Sequence, residues 1–531
     1  MSDGPFRKIL RKAFQSLSHL FFLFLSYCVR KYFDFKHGKG KQVSLVSNPI
    51  LLQSANELAL NIRTRKITSR KVVEAFIDRI KEVNPTLNCV VDNCYEKALT
   101  AADDVDELIS SGKYSEDELL EEKPFLGVPI SVKDNIACKG LLHSAGFWPR
   151  RECRAEKDSI VISLLKKAGA IPFALTNVPE LCMWWETVNR IHGRTSNPYD
   201  TNRMVGGSSG GEGALQAAGG SPLGFGSDIG GSIRMPAFYN GVFGHKPSRN
   251  IVSLEGLFPE TSAGEQSSFN VIGPLSRYAA DLRPAMKVIA GDNAKLLKLD
   301  EPVDIEHIKY FFQFDDGGER FVSPVDEDQT EAIKKVVNHF NKVASSKVIC
   351  SKLEDFKESC TIFFACMKGD KGIGWEEQCN ENQGQMNPWS ELVKWIIGIS
   401  DHTFDTIFVT LLDLFEEPYG TSRHKQLVEK RNLLREEIKW LLGDNGVLIY
   451  PTNPTVALYH KETLVRPYNF SYTAIFNILG FPSTSVPLGL GTKENLPTGV
   501  QIVANINQDR LCLAVAEELE KAFGGWVSPG K

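Results

Sequence analysis

Gly206-Gly-Ser-Ser-Gly-Gly-Glu-Gly-Ala-Leu-Gln-Ala-Ala-Gly-Gly-Ser-Pro-Leu-Gly-Phe-Gly-Ser-Asp-Ile-Gly-Gly-Ser-Ile-Arg-Met-Pro236 is the densest run of chemistry in this chain. Two glycine-rich loops, one carrying Ser208 and Ser209 and the other Asp228, Gly230, Gly231 and Ser232, flank a small-residue segment that reads as a close-packed helix. A phosphate cradle would need the lysine of GxxxxGK[ST] or the order of GxGxxG, and neither is present. A flexible linker fits poorly with Ile229, Ile233, Met235 and the ordered spacing. Nucleophilic catalysis fits better, because glycines ahead of a serine let backbone N–H groups converge on a developing oxyanion without Cβ clashes. Ser232 stands where such a nucleophile would.

A serine hydroxyl at neutral pH needs a base. No GxSxG and no evident histidine partner accompany Ser232, which disfavours an α/β-hydrolase triad and leaves serine–lysine chemistry. SxxK occurs at Ser163–Lys166, on an amphipathic helix, and at Ser110–Lys113, in a charged loop, without SDN or KTG companions. Lys133, ending a strand beside Asp134, is the better candidate.

Outward from the tract, Val128, Ile130 and Val132 alternate with Ser131 and Lys133, which predicts a strand with one apolar face. Upstream, Val72, Val73, Phe76, Ile80 and Val83 predict a helix stopped by Asn84-Pro85. A second helix is expected over Tyr95–Ile109 and a charged loop over Ser110–Lys123. Asp158 is placed to cap a helix through Ile160, Val161, Leu164 and Leu165 that ends at Gly169, and Ala170–Leu175 reads as a strand. Val447–Tyr450 reads as a buried strand, and Asp509–Phe523 as a helix stopped by Gly524. Strands alternating with helices predict an α/β layer architecture. No internal repeat or Pro/Ser-rich linker interrupts residues 50–520, so one large domain is more economical than the three or four that the length allows.

GGSSGGEG…SDIGGSIRMP resembles the amidase signature family, with Lys133 of GVPISVKD at the family's upstream lysine. The resemblance extends through Asn84-Pro85, Thr176–Glu180, Gly241–Ser248 and Leu496–Gln501, covers roughly residues 50–525, and thins between about 285 and 440. It implies a single catalytic domain built on a large mixed β-sheet sandwiched between helices, and a Ser–cis-Ser–Lys triad. Ser232 would be the nucleophile, Ser208 the bridging serine in a cis peptide, and Lys133 the base. A free lysine, with a pKa near 10.4, is a poor base at pH 7, and burial would lower that value. The N–H groups of Ile229, Gly230, Gly231 and Ser232 would form the oxyanion hole, Ser209 would hydrogen-bond within the site, and Asp228 and Arg234 would hold the loops. No cofactor or metal is implied.

Within the family, RMPAFYNGVFGHKPS, ELCMWWE and FGGWVSPGK look most like the membrane-bound fatty-acid amide hydrolases of animals. The expected substrate is therefore a lipid amide, a primary fatty amide such as oleamide or an N-acylethanolamine. The alternatives are an amidase of small or peptidyl amides, a glutamine amidotransferase subunit of a tRNA-dependent complex, and a silent lipid-binding scaffold.

The formal charge of −4 argues against a nucleic-acid partner and conceals an asymmetry. Residues 1–41 carry nine Lys or Arg against two Asp, leaving the remainder at −11. Arg7, Lys8, Arg11 and Lys12 precede an uncharged run, Ala13–Val29, that holds the block Leu20–Leu25. As a helix this run reaches about 26 Å, slightly short of a hydrocarbon core of about 30 Å. A short anchor, an interfacial helix and a cleaved signal peptide compete, and no A-x-A-like cleavage site follows the block. Attachment to an intracellular membrane, endoplasmic reticulum or lipid droplet, is the expectation, and a homodimer is left open. Trp389–Phe415 is unusually apolar and reads either as a helix pair dipping into a membrane or as ordinary core helices. Eleven cysteines without CxxC spacing read as buried thiols, and ten histidines show no HxH or HExxH. Asn469-Phe-Ser471, a glycosylation-like triplet, sits in an apolar, buried-looking stretch.

Overall fold

Val447 and Ile449 pack into one hydrophobic core while Leu448 and Tyr450 enter another. Alternate side chains of a strand point to opposite faces, so this wholly apolar strand is covered twice. The computed structural model describes residues 21, 23–260, 264–319, 321–368, 374–381 and 384–530. Among them the strands are β1 (Val90–Asn93), β2 (Pro129–Lys133), β3 (Ile171–Thr176), β4 (Val188–Asn189), β5 (Gly193–Arg194), β6 (Leu223–Asp228), β7 (Phe243–Lys246), β8 (Val271–Ser276), β9 (Lys309–Phe312), β10 (Ile349–Cys350), β11 (Gly446–Tyr450), β12 (Ser483–Leu490) and β13 (Pro497–Ala504). Eleven of these form one sheet in the order β1-β3-β2-β6-β8-β7-β12-β13-β11-β9-β10, and β4 pairs with β5. Parallel pairing is confined to β3-β2-β6 and β11-β9-β10; the other neighbours are antiparallel, so the large mixed sheet is as expected.

Most elements fall where the periodicity put them, including the helices Tyr95–Ser110 and Asp509–Phe523. Four readings are corrected. The Ser69–Leu87 helix runs through Pro85 instead of stopping there, giving up one i→i−4 hydrogen bond two residues before its end, and Asn88 ends the helix in the left-handed conformation. The charged stretch after Ser110 contains a helix, Glu116–Glu122, started by a capping box in which Ser115 and Glu118 satisfy each other's backbone N–H. Ser159, not Asp158, caps Ile160–Lys167; the Asp158 carboxylate instead accepts from Lys139 N–H and pairs with Lys166. β2 is buried on both faces: its polar residues find partners inside the protein, Ser131 donating to Glu212 at 2.6 Å.

All eleven cysteines are unpaired, six of them buried as expected, whereas Cys28, Cys153 and Cys350 are exposed. Asn469 is buried, its amide donating to Ser323 Oγ at 3.1 Å, which removes it from the surface. Of the basic N-terminal segment, residues 1–20 and 22 lie outside the described residues, and residues 23–37 are helical. That helix continues past Arg30 and Lys31, and it docks on the body through Arg30–Glu462 and through Arg466 donating to Ser26 Oγ at 2.9 Å. Among the described residues no helix is long and apolar enough to cross a membrane.

Candidate active site

β2 and β6 are parallel neighbours with Val132 opposite Phe225, so Lys133, the last residue of β2, arrives beside Ser227 and Asp228 at the end of β6. The carboxyl ends of adjacent parallel strands are where open α/β sheets present their chemistry. Lys133 Nζ lies 2.7 Å from Ser208 Oγ, 2.9 Å from Ser227 Oγ and 3.3 Å from Ser227 O. A neutral amine has two N–H groups and one lone pair. Two donations to Ser227 leave the lone pair facing the Ser208 hydroxyl. Lys133 is fully buried, and burial lowers its pKa against the opposing influence of Cys182, Asp228 and Glu212. Lys246 is a second buried lysine, brought down to about 7 by burial and then by the charge of Arg234. Its Nζ donates to Pro247 O at 2.8 Å and meets no serine, in contrast to Lys133.

The Gly207–Ser208 peptide is cis. Ser209 N–H donates to Ser232 O at 3.0 Å and Ser209 Oγ to Ser227 O at 3.3 Å, which ties the two loops of the tract together. Asp228 organises the second loop, accepting from Gly231 N–H at 2.7 Å, from Ile233 N–H at 3.0 Å and from the Arg234 guanidinium at 3.1 Å. Burial works against the Asp228 carboxylate, but Arg234 outweighs it and holds the pKa below the ordinary carboxylate value. Gly231 has φ +122°, and a Cβ there would run into Thr473. The helix Ser471–Leu479 backs this loop, with Thr473 Oγ1 donating to Gly230 O at 2.8 Å and Asn477 Nδ2 to Asp228 O at 2.9 Å. Asp228→Asn leaves Arg234 buried without its counter-charge. It is expected to cost about 3–5 kcal/mol, read as a fall in the denaturation midpoint, together with a loss of turnover.

Gly231 departs from its expected role. Its N–H is committed to Asp228, so it shapes the loop and is withdrawn from the oxyanion hole. Among the described residues no acceptor takes the N–H of Ile229, Gly230 or Ser232, and these three remain available. Ser232 is 7% exposed against 1% for Ser208 and 0% for Lys133, which marks it as the member open to substrate. It lines an apolar cavity of about 60 Å³ with Ile229, Gly230, Cys182, Phe363, Trp375 and Phe470. Ser232 Oγ has no hydrogen bond to Ser208 in this resting geometry; catalytic hydrogen bonds of this kind tighten in the substrate complex.

The model of the Amidase family matches residues 71–513. The chain belongs to the amidase family. This amidase is 45% identical over 491 residues to human fatty-acid amide hydrolase 2, covering 92% of each chain. It is 44% identical over 501 residues to fatty-acid amide hydrolase 2-A of Danio rerio, covering 93% of each. Its fold matches a solved fatty acid amide hydrolase with a TM-score of 0.71 at 22% identity, over 90% of this chain and 87% of that one.

Several residues of the amidase site escaped the sequence reading. Ser227 was within sight, directly before Asp228 in the tract. Thr473 and Asn477 stand four apart inside an apolar run, where such spacing signals only a shared helix face. Cys182 carries no spacing signal. Glu212, behind Lys133, is pushed up to about 7 by burial despite hydrogen bonds from Ser131 and Thr176.

Proposed function

We propose that this amidase hydrolyses long-chain fatty amides, primary amides such as oleamide and N-acylethanolamines, through an acyl-enzyme on Ser232. The observation that carries the reading is the buried Lys133–Ser208 contact of 2.7 Å beside a Ser232 that opens on an apolar cavity. Neutral Lys133 takes the Ser208 proton as Ser208 takes the Ser232 proton, and Ser232 Oγ bonds to the amide carbonyl carbon. The N–H groups of Ile229, Gly230 and Ser232 stabilise the tetrahedral oxyanion. The proton on Lys133 returns through Ser208 to the departing nitrogen, because an unprotonated amide anion is a very poor leaving group. Water then releases the fatty acid by the reverse relay, restoring the Ser232 hydroxyl.

The lipid assignment draws on the names of the 45% and 44% identical relatives and on the cavity lining. Purified enzyme should show its highest kcat/KM on oleamide or an N-acylethanolamine, compared with a peptidyl amide and glutamine. A preference for glutamine would overturn the reading in favour of an amidotransferase subunit. The cavity holds about 60 Å³, and Phe363, Phe364 and Trp375 are among the aromatic residues that wall it.

Membrane attachment belongs to the same proposal. The helix Pro388–Ile396 and the loop after it leave Trp389, Val393, Ile396, Ile397 and Ile399 exposed, which ordinary core helices would not do. Phe415 after the next helix, Phe404–Asp413, and Phe24 and Phe35 on the N-terminal helix are exposed as well. These surfaces suit insertion of a cap and an interfacial helix into an intracellular membrane such as endoplasmic reticulum or lipid droplet. Ile396→Asp with Ile397→Asp should weaken binding to phospholipid vesicles by about tenfold or more in a sedimentation assay. Hydrolysis of a water-soluble short-chain amide should stay unchanged.

A further inference from the structure

A second set of buried contacts joins the catalytic loop to the helices above the cavity. The Glu180 side chain is 1% exposed, and both its carboxylate oxygens are occupied. Oε1 lies 2.7 Å from His402 Nδ1; Oε2 accepts from Thr403 N–H at 2.7 Å and from Thr406 Oγ1 at 2.9 Å. Thr403 caps the Phe404–Asp413 helix, so the carboxylate sits where a helix N-terminus favours negative charge. The link is tied back to the preceding helix: His402 N–H donates to Ser400 Oγ at 3.1 Å, and Ser400 Oγ to Glu391 at 2.8 Å.

Beyond Glu180 the chain turns sharply. Leu181 and Cys182 both lie in the left-handed region, with φ of 53° and 57°. Two consecutive non-glycine residues hold that conformation only where surrounding contacts impose it. Leu181 N–H donates to Ala145 O at 2.8 Å, and Ala145 N–H donates to Asp134 O at 2.8 Å, so two hydrogen bonds lead from the turn to the residue after Lys133. Cys182 forms part of the cavity wall with Ser232, and burial raises its thiol pKa against the opposing influence of Lys133 and Ser208.

We propose that Glu180 is a positioning residue for the hydrolysis, clamping the Leu181–Cys182 turn from the cap side so that the turn holds Lys133 and Ser208 in line with Ser232. The proposal rests on the serine–lysine reading above, and its test is independent of which amide the enzyme prefers.

The variants are Glu180→Gln, which removes the charge, and His402→Phe, which removes its partner while keeping a ring against Phe147, now stacked on His402 at 6.0 Å. Each is assayed on butyryl p-nitroanilide, too short to engage the cap, and for the rate at which a fluorophosphonate labels Ser232. In folded variants kcat and the labelling rate are expected to fall together by about tenfold or more, with KM within about twofold of wild type. The double variant should be no slower than Glu180→Gln. Rates within about twofold of wild type in a folded variant, or a loss confined to KM, would overturn the proposal. Should Glu180→Gln fail to fold, His402→Phe and Thr406→Val carry the same expectation. An enzyme that prefers another amide still labels at Ser232, so failure of the clamp and failure of the lipid assignment give different results.

Discussion

Ser232→Ala is expected to reduce amide turnover on the order of 10⁴–10⁶-fold and to abolish fluorophosphonate labelling. Removal of a nucleophile leaves only what the oxyanion donors and substrate binding contribute. The donors at Ile229, Gly230 and Ser232 are backbone groups, and the loop that carries them is held by Asp228, Thr473 and Asn477, none of which touches the Ser232 hydroxyl. The variant should therefore fold normally, which an unchanged melting temperature would verify. Mass spectrometry of the labelled wild type should place the adduct on Ser232. An adduct on another serine, or one that survives in the alanine variant, would move the nucleophile elsewhere.

Lys133→Met should lower kcat by about 10²–10⁴-fold and change the shape of the pH profile. The base acts in its neutral form. Burial lowers the Lys133 pKa from the ordinary lysine value, with Cys182, Asp228 and Glu212 pulling the other way. Wild-type activity therefore rises as pH climbs through that lowered pKa and falls as pH drops below it. With the amine gone, this acid limb should vanish along with most of the rate. A wild-type profile that stays flat down to about pH 5 with the protein intact would sink the assignment of Lys133 as base.

What could be read before the structure depended on how local the cause was. The two loops of the tract announce themselves because glycine and serine at those positions answer to backbone geometry within a few residues. Lys133 was reachable because a strand end places a side chain predictably. Gly231 illustrates the opposite case: its spacing fits an oxyanion donor, but the Asp228 carboxylate three residues earlier claims its N–H. Thr473 and Asn477 come from more than two hundred residues away, and nothing in an apolar helix signals that its polar members will brace a distant loop. The end of the helix through Pro85, and the helix at Glu116–Glu122, are obscure in the sequence for a different reason. Each turned on which of two end signals prevails, and at Ser115 the capping box outweighed the run of like charges.

The N-terminal helix is fastened to the catalytic body by Ser26 and Arg30, and Phe33 is buried against it. A segment held this way is a spacer of set length rather than a tether of variable reach. From Ser26 onward the chain lies on the same side of any bilayer as the active site. If the exposed ring of Phe24 enters lipid, as proposed above, the angle at which it does so would also set the tilt of the whole catalytic body, and with it the height of the cavity mouth above the headgroups.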